Sequence, residues 1–180
     1  TDFDGKAIWK DGAEPAATDI AERLSAFHAP YHAALQAEIE RVKAIHGIAV
    51  LYDCHSIRSH IPFLFEGRLP DFNIGTDGGR TCDPAIEKAV VDVTGAATGY
   101  ASILNGRFKG GWTTRHYGRP EEGVHAIQME LSQASHLVTE ASPFAYDPPK
   151  AERLRTHLKD ILVRIERIAS ELKKTSRSKP

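Results

Sequence analysis

The chain has 180 residues, 41% hydrophobic and 26% charged, with a formal net charge of −1. That length and apolar content suffice for one domain with its own core, and near-neutrality removes any global electrostatic case for a nucleic-acid or anionic-membrane partner. The apolar runs are too short to span a bilayer, and two cysteines, Cys54 and Cys82, fit a reducing cytoplasm better than a disulfide scaffold.

Residues 1–15, with Gly5, Gly12 and Pro15, read as loop. The chain opens at Thr1 as though already inside a loop, and a preceding N-terminal portion is expected. Thr18–Leu24 predicts a short helix with Thr18 as its N-cap. From Pro30, the apolar residues Tyr31, Leu35, Ile39, Val42 and Ile45 recur at helical spacing until Gly47. Ile48–Tyr52 is apolar without alternation, which predicts a strand buried on both faces, as in a parallel α/β sheet. Residues 59–82 are rich in Pro, Gly and Asp and hold no clear element; a loop of that length is usually functional.

Asp83 as N-cap and Pro84 in the first turn start a helix carrying Ile86, Ala89, Val90 and Val93 and closing near Gly95. Tyr100–Gly106 reads as a strand, and a glycine-rich loop runs from Gly106 to Gly123. Val124–Leu131 predicts a strand with Val124, Ala126 and Gln128 on one face and His125, Ile127, Met129 and Leu131 on the other. After a loop over 141–149, Ala151–Leu172 has the pattern of a long amphipathic helix covering a sheet face. Residues 1–172 thus form one α/β domain, and the basic tail 173–180 reads as a disordered end.

Ligands of open α/β sheets bind outside the carboxyl ends of strands. Three polar groupings fall there. The first is Asp53, His55 and Arg58. His55 is the best metal-ligand candidate among nine histidines, with Asp53 as the carboxylate that orients it; a hydrogen-bonded histidine at a strand end is the plainer alternative. The second is Glu130, with Gln128 supporting it on the same face. Glu130 is a candidate general base, or else an ion-pair partner. The third is a set of loop arginines, Arg58, Arg80, Arg107, Arg115 and Arg119, whose guanidinium forks suit carboxylates. Together they suggest a small anionic ligand; singly, each is explained as solvated charge. Asn73 lies in the glycine-rich loop with Asp77 and Arg80, and His116 is a further candidate contact. Cys54 reads as a small buried residue, because its neighbour His55 points to the opposite face.

Four blocks carry a resemblance: Asp53-Cys54-His55-Ser56-Ile57-Arg58-Ser59, Leu69-Pro70-Asp71-Phe72-Asn73-Ile74-Gly75-Thr76, Gly110-Gly111-Trp112-Thr113-Thr114-Arg115-His116-Tyr117-Gly118-Arg119-Pro120, and Ala126-Ile127-Gln128-Met129-Glu130-Leu131-Ser132-Gln133. In order and spacing they resemble the N-formylglutamate amidohydrolase family. The resemblance implies a carboxypeptidase-like zinc hydrolase with a mixed sheet flanked by helices, which cleaves N-formyl-L-glutamate to formate and L-glutamate in histidine breakdown. It implies that His55 is a Zn2+ ligand and Glu130 the catalytic glutamate. Arg58, Arg80, Arg115 and Arg119, with Asn73 and His116, would then hold the substrate. The chain departs from the family in lacking its initial strand, Pro-His-x-Gly type loop and acidic segment, which supply the other zinc ligands. The fold is therefore expected to be incomplete at the N-terminus, with a separate segment of the same protein as partner. A related N-acyl amino acid hydrolase and a non-catalytic anion-binding fragment remain alternatives.

Overall fold

The computed structural model describes the backbone of residues 1–177 and side chains as far as Lys173; residues 178–180, the end of the basic tail, lie outside the described residues. Helix α1 (Ala17–Arg23) begins one residue before the expected cap. Asp19 Oδ2, rather than Thr18, closes its start by accepting the Ala16 N–H at 2.9 Å. A wider π-type turn, Leu24–His28, carries the chain directly into α2 (Ala29–His46). Pro30 has no N–H to give, and the turn opens just ahead of it. Gly47, at φ 77°, ends α2 in the left-handed conformation that glycine adopts without strain.

Strand β1 (Ala49–Ile57) runs five residues past its apolar start at Tyr52 and carries the polar cluster within it. Strand β2 (Phe72–Gly75) occupies the stretch read as irregular loop. Its four residues are too few to announce themselves among prolines and glycines. Helix α3 (Pro84–Ala96) starts as expected: the Asp83 side chain accepts the Ala85 N–H at 2.8 Å. Strand β3 (Ser102–Leu104) follows. A short helix, α4 (Trp112–Tyr117), replaces part of the expected loop before β4 (Val124–Ser132). Helix α5 (Pro148–Arg177) extends beyond both predicted ends.

The four strands lie in the order β1-β4-β2-β3. β1 runs parallel to β4, β2 antiparallel to β4, and β3 parallel to β2. The sheet is therefore mixed rather than all-parallel, with β1 at one edge among the described residues. Phe72, Ile74, Ile127 and Met129 fill one face, covered by Ile86, Val90 and Val93 of α3 and Leu154, Ile161 and Ile165 of α5. Truncating a fully buried member such as Ile161 to alanine costs about 2–5 kcal/mol. On the opposite face, Ala49 and Val124 pack with Ile39 of α2 and Tyr117 of α4. That cover stops short of the strand ends, where the polar residues lie.

Cys54 and Cys82 are both free. Cys82 is buried and its thiol is pushed up to about 12, chiefly by burial. Cys54 is exposed, contrary to the sequence reading, because the edge strand leaves its face uncovered there. No helix among the described residues is long and apolar enough to cross a membrane.

Candidate active site

Register builds the site. His55 of β1, Glu130 of β4 and Asn73 of β2 occupy one row across three neighbouring strands; Asp53, Gln128 and Gly75 form the adjacent row. Residues two apart on a strand share a face, so the polar members of both rows project together. His55 Nε2 lies 2.9 Å from Asp53 Oδ1, an arrangement that fixes the ring's orientation. The His55 side chain is 47% exposed, whereas Glu130 is 6% exposed. The histidine is open to an incoming group, and the acid is withdrawn from water.

Burial holds the Glu130 carboxyl above the ordinary glutamate range. Nearby His55 and the Gln128 amide pull it back down, and the Asp53 charge adds to the rise. A raised carboxyl beside an accessible imidazole is suited to taking up and releasing a proton. Gln128 bridges to it, its Nε2 donating to Glu130 Oε2 at 3.4 Å, while its Oε1 accepts the Gly111 N–H at 2.6 Å. Thr114 Oγ1 stands 3.4 Å from Asp53 Oδ2 and 3.5 Å from Gln128 Oε1, both longer than the roughly 2.5–3.0 Å of an ordinary hydroxyl hydrogen bond. Asn73 supports the backbone beneath: its Nδ2 donates to the Pro70 carbonyl at 2.8 Å and the Glu130 carbonyl at 3.0 Å. Its buried Oδ1 has no hydrogen-bond partner among the described residues.

The arginines do not gather on this cluster. Arg58 pairs with Asp4 at 2.8 Å, Arg80 with Asp77 at 2.8 Å, and Arg119 with Glu122 at 3.1 Å. Arg115 donates to the carbonyl of Gly110. His116 stacks on Trp112, with ring centroids 4.1 Å apart. Such exposed ion pairs are weak, about 0–1 kcal/mol, and an anionic ligand could displace them at little cost.

Among the described residues, no three or more His, Cys, Asp and Glu side chains come together in a group able to hold a metal ion. His55 is a suitable single ligand, but the described residues do not by themselves fit a zinc ion. Three groups that hold the site together, Gly111, Thr114 and Glu140, were not singled out as site residues: Gly111 and Thr114 lie in a block that carries the family resemblance but were given no role, and Glu140 carried no signal. Glu140 accepts the backbone N–H groups of Ser59 at 2.6 Å and Ala134 at 2.9 Å, which follow β1 and β4. Its partners, like those of Thr114, become neighbours only in the folded chain.

A family model described as N-formylglutamate amidohydrolase matches residues 1–137. The chain is 48% identical over 160 residues to the N-formylglutamate deformylase of Pseudomonas aeruginosa, and 44% identical over 160 residues to that of Pseudomonas putida. Each match covers 89% of this chain and 60% of the relative, so the chain spans less than two thirds of their length. The crystal structure of an N-formylglutamate amidohydrolase from Ralstonia eutropha shares the fold, with a TM-score of 0.69 at 23% identity, over 88% of this chain and 57% of that one. The family model covers well over half of the chain, and the chain belongs to the N-formylglutamate amidohydrolase family.

Proposed function

We propose that this chain carries the proton-transfer part of a zinc-dependent amidohydrolase that cleaves N-formyl-L-glutamate to formate and L-glutamate. The observation that supports it best is the pairing of His55 with Glu130 on adjacent strands, one open and one buried. The named activity of the relatives supplies the substrate. In this reading Glu130 accepts a proton from the water attacking the formyl carbon and passes it to the departing amine. His55, oriented by Asp53, is one ligand of the zinc ion, and the others come from a further segment of the same protein. The proton path itself rests on Glu130 and Gln128. Arg58, Arg80, Arg115 and Arg119 exchange their present partners for the two substrate carboxylates, with Asn73 and His116 near them. The fold is carboxypeptidase-like in this reading, and the protein works in the cytoplasm.

The test is formate release from N-formyl-L-glutamate by this chain, alone and supplied with the portion of a relative that lies outside the match, with zinc measured in both. The reading expects stoichiometric zinc and turnover in the complemented protein, both lost in His55→Ala. Zinc bound at full occupancy without hydrolysis would sink it.

The absence of a three-donor group among the described residues favours a second reading, an anion-binding fragment without catalysis. Calorimetry separates the two: N-formyl-L-glutamate binding by this chain alone, with no turnover after complementation, supports the fragment.

A further inference from the structure

We infer that Thr114 is a positioning residue that acts on Glu130 through Gln128 and ties that pair to Asp53 and His55. The inference rests on the proposed function only for its catalytic meaning; the geometry stands apart from it.

An amide side chain has a donor end and an acceptor end, and which end faces which neighbour follows from the hydrogen bonds it makes. At Gln128 the choice is forced. The Gly111 N–H can only donate, and it lies 2.6 Å from the Oε1 end. The NH2 end therefore faces Glu130 Oε2. Turned the other way, Gln128 would set donor against donor at Gly111 and oxygen against oxygen at Glu130. The backbone that delivers Gly111 comes close only because of Gly75. A Cβ there would collide with Gly110 N and lie 2.8 Å from the Lys109 carbonyl carbon.

Thr114 completes the linkage. It is fully buried, and its hydroxyl sits between an acceptor on β1, Asp53 Oδ2, and an acceptor on β4, Gln128 Oε1. A threonine hydroxyl has one proton to give. It is the group that joins the His55–Asp53 arm to the Gln128–Glu130 arm, so a proton given to one side is withheld from the other. His55, Asp53, Thr114, Gln128 and Glu130 lie in successive polar contacts of 2.9–3.5 Å across two strands and α4, with the Thr114 proton serving one of its two acceptors at a time.

The test is NMR on the full 180-residue chain, read at the Gln128 side-chain NH2 and the Gly111 amide in wild type, Thr114→Val and Thr114→Ser. Wild type and the serine variant are expected to show slow exchange at both groups and a downfield Gly111 proton. The valine variant is expected to exchange about fivefold faster at Gln128, the effect of losing one hydrogen bond, with its NH2 signals moved toward those of a free amide. Identical Gln128 signals in valine and wild type would overturn the inference. So would a serine variant that behaves like valine, since the methyl and not the hydroxyl would then matter. If the valine variant does not fold, Thr114→Ala is read at the same two groups: faster exchange at Gln128 with the serine variant unchanged supports the linkage, and Gln128 signals identical to wild type overturn it. Where hydrolysis is measured, Thr114→Val is expected to lower kcat about 10- to 100-fold with KM little changed. Absent hydrolysis with the NMR result intact would count against the proposed function and leave the positioning role standing.

Discussion

Glu140 grips Ser59 twice, accepting its backbone N–H at 2.6 Å and its hydroxyl at 2.5 Å. The same carboxylate takes the Ala134 N–H at 2.9 Å, so one side chain fastens the segments that leave β1 and β4. Hydrogen bonds to a charged group are among the stronger ones. Glu140→Ala is expected to cost about 2 kcal/mol, a fall in melting temperature of about 4–8 °C. Hydrogen exchange should quicken most at Ser59 and Ala134, and a uniform change across the chain would contradict the clamp.

Glu130 predicts its own pH signature. Its folded-state pKa is raised, mainly by burial, so the folded protein prefers the protonated form. The stability this contributes is complete below the ordinary glutamate value of 4.5 and is lost as pH rises through the raised folded value. Glu130→Gln should therefore melt higher than wild type at neutral pH, with the gap closing on acidification below 4.5. In an active complemented protein the same substitution should abolish hydrolysis. Full activity would remove Glu130 from the mechanism.

His125 acts with the opposite sign. It is buried, and burial lowers its pKa below the ordinary 6.5, only partly offset by Asp83. Its Nδ1 accepts the Asp83 N–H at 3.1 Å, so the ring is neutral with its proton on Nε2. The stability tied to this neutral ring is present above pH 6.5 and falls as the pH drops toward the lowered value, because the unfolded chain takes up the proton first. His136, also lowered by burial, adds a share of the same sign. Between pH 7 and 5 the melting temperature of wild type should fall relative to that of His125→Asn, which shares every other titrating group; a constant difference between the two would remove His125 as a source.

Gly75→Ala tests the close approach at the end of β2. The added carbon meets backbone on Gly110 and Lys109, which cannot swing aside as a side-chain tip could. Overpacking of this kind costs about 1–3 kcal/mol or more. The expected outcome is a destabilised chain whose Gly111 amide has lost its Gln128 partner, seen as faster exchange there than at the unrelated Asp83 cap. A variant as stable as wild type would show that the loop has room to move.

What the sequence revealed follows from where each signal resides. The Asp83 cap, the α5 stripe and the two-faced pattern of β4 are encoded in neighbouring residues, and each appears in the structure. β2 and α4 are four and six residues long and owe their form to partners distant in sequence, so no local pattern marks them. β1 was legible as far as Tyr52 because its residues there are continuously apolar, although as an edge strand it leaves Val50, Leu51 and Tyr52 only half-buried rather than covered on both faces; its second half is polar and reads as loop. Within the cluster, His55, Asp53, Gln128 and Glu130 stood out because strand ends collect ligands. Thr114 is an ordinary threonine until α4 lays it against two strands.

The place of the two key residues in the sheet also sets how stiffly each is held. β4 is hydrogen-bonded along both sides, to β1 and to β2, whereas β1 is bonded along one side among the described residues. A strand flanked on both sides opens only when its neighbours give way; an edge strand can fray by itself. Glu130 therefore rides on one of the slowest-opening parts of the molecule and His55 on one of the freer. The Glu130 carboxyl is a fixed reference point, and the imidazole beside it has the latitude to settle onto whatever it meets.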